Sequence, residues 1–276
     1  MFPENARKTD LTEEAIRRFL PEALSLSLTV TGEVSSTNAL LKEAGAKGAP
    51  HGTVLIAESQ TAGRGRLGRT FFSPAGSGLY ISVLLRPPFS LETSVRLTAA
   101  AAVAAAEAVE EATGTAPGIK WVNDLYLHGR KVAGILAESA LSEGGKVDFA
   151  VLGVGFNLCP PAGGFPAELQ SIAGAILPRF EEGIRPRLAA AFLTRFFALF
   201  DRLAEEPSPF LDAYRSRCFF LGDPVEIQRG EEVRTAVAES VDGDFSLTVR
   251  YPDGAKESLS FGEIRLRFPT KEDLPL

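Results

Sequence analysis

The chain has 276 residues, 45% of them hydrophobic and 23% charged, with 29 Lys and Arg against 35 Asp and Glu, for a formal net charge of -6. Such a chain can bury one large core and a small satellite domain. The acidic balance, with pI ≈ 5.2, excludes a general nucleic-acid binder, which needs a basic surface to displace counterions. The alanine-rich uncharged run Leu97–Ala106 is too short to cross a bilayer, so no membrane role is expected. Met1–Asp10 has no apolar core of the signal-peptide kind. Cys159 and Cys218 lack metal-ligand spacing to His51 or His128, which predicts reduced structural thiols in a cytoplasmic protein and no protein-held metal.

In chain order, Asp10 and Glu13 read as a capping box opening a helix with Ile16, Phe19 and Leu20. Ser36-Thr37-Asn38 reads as an N-cap before a short helix at Ala39-Leu40-Leu41. Strands are predicted at Thr53–Ala57 and Leu79–Leu85, and a long alanine-rich helix over Leu91–Ala112. Ile119–Val122 and Leu125–Leu127 read as extended, and His128-Gly129 as a tight turn into Lys131–Glu138. Phe149–Phe156 reads as a buried strand. An amphipathic helix is predicted from about Pro186 to Ala204, and Ser208-Pro209 reads as the cap of a third. From Asp223 the pattern turns to short alternating segments separated by Asp242-Gly243-Asp244 and Tyr251-Pro252-Asp253-Gly254. The expected fold class is therefore α+β, a mixed-sheet domain over residues 1–221 and a small β-barrel over 222–276.

The seven residues Gly63-Arg64-Gly65-Arg66-Leu67-Gly68-Arg69 hold three glycines and three arginines within an acidic protein. Glycines let backbone N–H groups converge on an anion, and arginines add cationic forks, so this loop is expected to hold something polyanionic. The spacing also satisfies G-x-G-x-x-G, but a dinucleotide fold requires a helix directly after the loop and an acidic residue about 20 positions on. Thr70–Pro74 is instead β-rich and ends in proline, and Val83 stands where the acid should be. No G-K-[ST] is present for a Walker loop.

Lys120-Trp121-Val122-Asn123-Asp124 places a lysine, an amide and a carboxylate at a strand end, with Lys131 seven residues further on. Trp121 is the only tryptophan, and its default role is core packing. Gly153 and Gly155 within a strand pattern suggest a bulge or a ligand lying on the backbone, with Asn157 as a polar contact at the strand end.

Four motifs in one order carry a resemblance. Ser36-Thr37-Asn38, Gln60-x-x-Gly63-Arg64-Gly65-Arg66, Lys120-Trp121-x-Asn123-Asp124-Leu125-Tyr126 and Lys131-x-Ala133-Gly134-Ile135-Leu136 together resemble the biotin–protein ligases, from roughly Glu33 to Asn157. The resemblance implies a biotin/lipoate-ligase catalytic domain followed by an SH3-like β-barrel. It implies that biotin and ATP, with Mg2+, give biotinyl-5′-adenylate, and that a lysine of biotin carboxyl carrier protein then takes the biotin. It assigns biotin binding to Ser36, Thr37, Asn38, Gln60, Arg64, Gly65, Arg66, Lys131 and Gly134. It assigns nucleotide binding to Arg66, Arg69, Phe71, Lys120, Asn123, Lys131 and Asn157, and catalysis to Lys131, Arg66 and Asp124. Asp124 is either a base for the carrier lysine or an orienting group for Lys131, and either Phe71 or Phe72 covers the nucleotide. Family members often pair through a sheet edge, which implies a homodimer. Some carry an N-terminal DNA-binding domain; 35 residues precede Ser36 here, with one clear helix, so the monofunctional form is expected. The family's usual proline in the Lys120–Asp124 run is Val122, which suits an extended strand.

The chemistry agrees with that assignment. Two unit charges 4 Å apart repel by about 4 kcal/mol at an effective dielectric near 20, so a carboxylate and an α-phosphate meet only between cations. A lipoate ligase, a biotin sensor without ligase activity and a phosphate-binding module are the competing readings. The polar set at Ser36–Asn38 and Gln60 favours biotin, whose ureido ring lipoate lacks.

Overall fold

Strand alternation sets the architecture, because successive side chains on each apolar run face opposite sides. The computed structural model describes residues 10–86, 94–143, 145–205, 208–229, 232–260 and 262–266. A mixed seven-stranded sheet runs β1-β2-β3-β7-β6-β5-β4 across β1 (Ser27–Val34), β2 (Thr53–Gln60), β3 (Gly78–Leu85), β4 (Gly118–Lys120), β5 (Asp124–Leu127), β6 (Arg130–Leu141) and β7 (Val147–Asn157). Only β1 and β2 pair parallel; the remaining neighbours are antiparallel.

One face is closed by α3 (Ser94–Thr113) and α4 (Ile184–Phe200), which pack on each other and on the sheet. Every residue from Ala99 to Ala106 is buried, so the alanine run is core. Small side chains let α3 approach both the sheet and α4, whose Phe192 and Phe196 supply the bulk and stack at 5.8 Å. Burying each such aromatic side chain stabilises the fold by about 1.5–3 kcal/mol.

The opposite face is covered only in part, by α2 (Thr37–Ala46), over a smaller cluster of Leu41, Leu84, Phe149 and Val151. The uncovered remainder carries Tyr80 and Ser82 of β3, Gly134, Leu136 and Glu138 of β6, and Gly153 and Gly155 of β7. Incomplete cover on one face of a sheet leaves a concavity, and the functional residues collect there.

The C-terminal segment forms a second, antiparallel sheet in the order β11-β10-β9-β8-β12, from β8 (Pro224–Arg229), β9 (Glu232–Val241), β10 (Leu247–Arg250), β11 (Lys256–Leu259) and β12 (Glu263–Leu266). Its short strands are SH3-like, but β11 and β12 are edges not hydrogen-bonded to each other among the described residues, so the expected closure into a barrel is not seen. β9 is amphipathic only in its second half: Glu232–Thr235 is exposed, Val233 included, and Ala236, Ala238 and Val241 face inward. The alternating pattern predicts strand residues at Phe261 and Phe268 as well; both lie outside the described residues, as does the start of the Leu91–Ala112 helix.

Trp121 does more than fill the core. It is 2% exposed and donates its indole N–H to the Phe245 carbonyl at 2.9 Å, joining the turn after β4 to the turn between β9 and β10.

Several local expectations need correction. The first helix, α1 (Glu13–Arg17), is capped by the Thr12 hydroxyl, which accepts from the Ala15 N–H. Asp10 instead binds the buried Arg185 guanidinium and accepts from the Gly183 N–H, because a buried guanidinium requires a carboxylate partner. Ser208-Pro209 does not cap α5 (Leu211–Arg217); the helix begins two residues later, behind Phe210, with no side-chain cap. Val122 is not extended: β4 ends at Lys120, Val122 sits in the turn to β5, and the Trp121–Val122 peptide is cis. The ladder through Gly153 and Gly155 is regular, so these glycines mark no bulge.

Candidate functional site

The pocket is framed at one end by two adjacent strand ends. After β1, the Thr61 and Ala62 N–H groups donate to the Val34 and Ser35 carbonyls, continuing the parallel pairing past β2. This holds Ser36 beside Gln60. Ser36 caps α2, accepting from the Ala39 N–H at 3.4 Å. Thr37 donates both its N–H and its hydroxyl to Gln60 Oε1, at 2.9 and 3.1 Å, and Gln60 Nε2 donates to Ser73 Oγ at 2.9 Å. Gly63 has no room for a side chain here, since a Cβ would meet the Phe71 carbonyl at 2.3 Å.

Asn38 reaches over the sheet into the hole left by Gly153, where any Cβ would stand 2.2 Å from Asn38 Oδ1. Ser82 Oγ lies 2.6 Å from that oxygen and 2.7 Å from Thr37 Oγ1. Asn38 Nδ2 donates to Glu138 Oε2 at 3.1 Å and to the Leu136 carbonyl at 3.4 Å. Glu138 also receives Lys42 Nζ at 3.1 Å and Arg64 Nη1 at 3.4 Å. Burial alone would raise the Glu138 carboxyl, but hydrogen bonds from Asn38 and Lys42 and the charges of Lys42 and Arg64 hold it below its ordinary value.

The other end is cationic. Lys131 Nζ pairs with Asp124 Oδ1 at 2.7 Å and lies 5.9 Å from the Phe71 ring centroid. Phe71 lies over Gly155 and Gly134, where a Cβ would approach the ring to 2.5 and 3.2 Å. The second strand glycine thus makes room for an aromatic side chain of the site. Arg66 donates to Asn123 Oδ1 at 2.9 Å and to the Gly262 carbonyl at 2.7 Å, and Asn123 Nδ2 donates to the Ile135 carbonyl. Lys120 Nζ lies 5.7 Å from the Tyr126 ring centroid.

The two arginines of the loop therefore part company. Glu138 and Lys131 are seven residues apart on β6, about 23 Å of strand, so Arg64 serves one end of the site and Arg66 the other. The loop between them is tied internally, the Gly65 N–H donating to the Arg69 carbonyl at 2.7 Å. Its tip, Leu67, is 76% exposed.

All nine residues expected to hold biotin line one narrow cavity of about 50 Å³, together with Phe71, Tyr80, Asn123, Gly153 and Gly155. An adjoining cavity of about 500 Å³ is lined by Arg69, Phe71, Phe72, Lys120, Asp124, Lys131 and Asn157, and a third of about 100 Å³ by Gly65, Arg66, Lys120, Asn123, Asp124 and Lys131. Phe71 and Lys131 line all three. Phe72 reaches only the large one. Sequence reasoning overlooked Lys42, Ser73, Ser82, Glu138 and Arg265. Glu138 follows Leu136 by two positions, so strand periodicity alone places it on the same face; Arg265, in the large cavity, comes from β12 with no motif to mark it.

The remaining singled-out residues fall away from the site. Cys159 and Cys218 are free and buried. His51 stacks near Phe200 at 5.3 Å, and burial pulls its pKa down. No helix among the described residues is long and apolar enough to cross a membrane.

A mixed sheet with a basic, glycine-rich loop at its half-covered face places the chain among the ligases of the biotin/lipoate fold. The profile of the Biotin/lipoate A/B protein ligase family matches residues 31–157. The biotin--[acetyl-CoA-carboxylase] ligase of Paracoccus denitrificans is 35% identical over 211 residues, 72% of this chain and 85% of that one. The chain belongs to the biotin–protein ligase family. The bifunctional ligase/repressor BirA of Bacillus subtilis is 38% identical over 167 residues, 60% of this chain; the match spans about half of that relative's length, 51%. Among solved structures, the biotin protein ligase from Aquifex aeolicus in complex with biotin and ATP superposes with a TM-score of 0.74 at 30% identity, over 87% of this chain and 98% of that one.

Proposed function

We propose that the chain is a biotin–[acetyl-CoA-carboxylase] ligase, activating biotin with ATP and passing it to a lysine of biotin carboxyl carrier protein. In the first step a biotin carboxylate oxygen attacks the α-phosphorus of ATP, the bond to pyrophosphate breaks, and biotinyl-5′-adenylate forms. In the second, the carrier's lysine amine attacks the acyl carbon, AMP leaves, and an amide remains with release of a proton. Magnesium arrives as part of the nucleotide substrate. The observation that carries this reading is the meeting of three cavities at Lys131 and Phe71, one narrow and polar at its far end, the others cationic.

Hydrogen-bond valence supports biotin as the acid. Ser36 accepts within its cap and keeps its hydroxyl hydrogen for a ligand. Gln60 uses both acceptor positions on Thr37 and one amide hydrogen on Ser73, keeping the other. Thr37 keeps acceptor capacity. The ureido ring offers one carbonyl to accept and two N–H groups to donate, which this set answers. The dithiolane of lipoate offers neither. Asn38 has both amide hydrogens committed to Glu138 and Leu136, so its part is to hold the wall.

At the reacting end, Lys131 lies between the cavities and neutralises the approaching carboxylate and phosphate. Arg66 stands on the same side, and Phe71 lies where the two ligands join. Asp124 orients Lys131. Residues 1–221 make up the domain that supplies most of the ligand-binding residues, and 222–276 an accessory one that adds Arg265. Cytoplasmic residence and a homodimer through an open sheet edge belong to the same reading. Incubation with magnesium-ATP and either biotin or lipoate tests it: adenylate from biotin supports the proposal, and turnover of lipoate alone rejects it.

A further inference from the structure

The Gly63–Arg69 loop is held at two points that differ in kind. Arg66 is tied by neutral acceptors, Asn123 Oδ1 and the Gly262 carbonyl. Arg64 is tied by charge, to a Glu138 carboxylate whose side chain is 15% exposed. Glu138 stands on β6, in a regular ladder with β7, and Asn38 donates to its second oxygen. A carboxylate so held is a fixed post; Arg64, 46% exposed, is the more accessible partner.

We propose that Glu138 is a positioning residue that latches the basic loop: by gripping Arg64 it fastens the loop across the vitamin end of the pocket and retains the acyl-adenylate until the acceptor lysine arrives. The inference rests on the ligase reading and assigns Arg64 to loop closure, leaving the phosphate to Arg66 and Lys131.

Charge makes the latch two-way. Lys42 and Arg64 both reach the same oxygen, Glu138 Oε1, at 3.1 and 3.4 Å. With the carboxylate present the two cations share it. Without it they face each other across a few ångströms and repel, so neutralising Glu138 turns attraction into a force that lifts the loop. A partly exposed ion pair is weak and salt-sensitive, which suits a closure that must also open.

Two measurements test the latch. The first reads the loop without any ligand, as tryptic cleavage after Arg66 and Arg69 in wild type and Glu138→Gln, normalised to a peptide substrate. Glu138→Gln keeps an oxygen for Asn38 and removes the charge. Cleavage faster by about threefold or more is expected, with 0.5 M salt accelerating wild type and changing the variant little. Equal cleavage in the two proteins overturns the latch whether or not the ligase reading holds. The second is release of biotinyl-adenylate from wild type, Glu138→Gln, Arg64→Gln and the double variant. Each single change should speed release about threefold to fivefold, with the double no faster than the faster single. Additive effects, or release unchanged, reject the coupling. A wild type that makes no adenylate rejects the ligase reading, while the cleavage result still decides the latch.

Discussion

Lys131 Nζ and Asp124 Oδ1 stand 2.7 Å apart on the adjacent strands β6 and β5, and the pair borders the two cationic cavities. A carboxylate that holds an ammonium at that distance is occupied in orienting it. Asp124→Asn should therefore slow adenylate formation as well as transfer, each by about tenfold, as expected for loss of a charge-assisted contact. Single-turnover measurement of the two steps decides this. Transfer slowed with adenylation intact would make Asp124 the base for the acceptor lysine.

Lys131→Ala should lower the rate of adenylation by about 100-fold, the scale of losing one preorganised charge at a reacting centre. Its side chain is partly exposed, 26%, so the melting temperature should change little. Pyrophosphate release and a thermal melt on the same preparation separate the two effects. Normal adenylation in a folded variant would remove Lys131 from the mechanism.

The strand glycines give a test of pocket shape. Gly155→Ala places a methyl group 2.5 Å from the Phe71 ring, and Gly153→Ala one 2.2 Å from Asn38 Oδ1. Overpacking of this size costs about 1–3 kcal/mol. Gly155→Ala should raise the KM for both substrates, because Phe71 lines all three cavities, whereas Gly153→Ala should raise the KM for biotin alone. Identical effects from the two would show that the cavities do not divide the ligands.

Acid should erase the difference between wild type and Glu138→Gln. The folded pKa of Glu138 is depressed, so its contribution to stability is full above the ordinary carboxylate value of about 4.5 and is lost as pH falls through the folded value. Urea melts should separate the two proteins at pH 7 and bring them together as pH falls below the depressed folded value. A gap that persists at low pH would assign the effect to packing.

Much of this molecule was legible in its sequence because its strong signals were local. Ser36 caps α2 as its type requires, β2, β3 and β7 fall on apolar β-branched runs, and the alanine run is α3. The candidate residues converge because four motifs keep one order. The rest depended on distant partners. Asp10 left its capping box for Arg185, 175 positions away, and Gly153 and Gly155 serve Asn38 and Phe71, contacts that no spacing announces. Trp121 looked like core, yet its indole N–H finds the Phe245 carbonyl in the turn between β9 and β10, 124 positions away. Glu138 escaped notice because a carboxylate on a strand beyond Leu136 reads as surface until Lys42, Asn38 and Arg64 are brought to it.

The most direct measurement is pyrophosphate–ATP exchange, which reports reversible formation of an acyl-adenylate and nothing after it. With magnesium-ATP and labelled pyrophosphate, label should enter ATP only when biotin is added, and Lys131→Ala should reduce that exchange by about 100-fold. Exchange that is absent with biotin, or as fast with lipoate as with biotin, would contradict the assignment of this pocket.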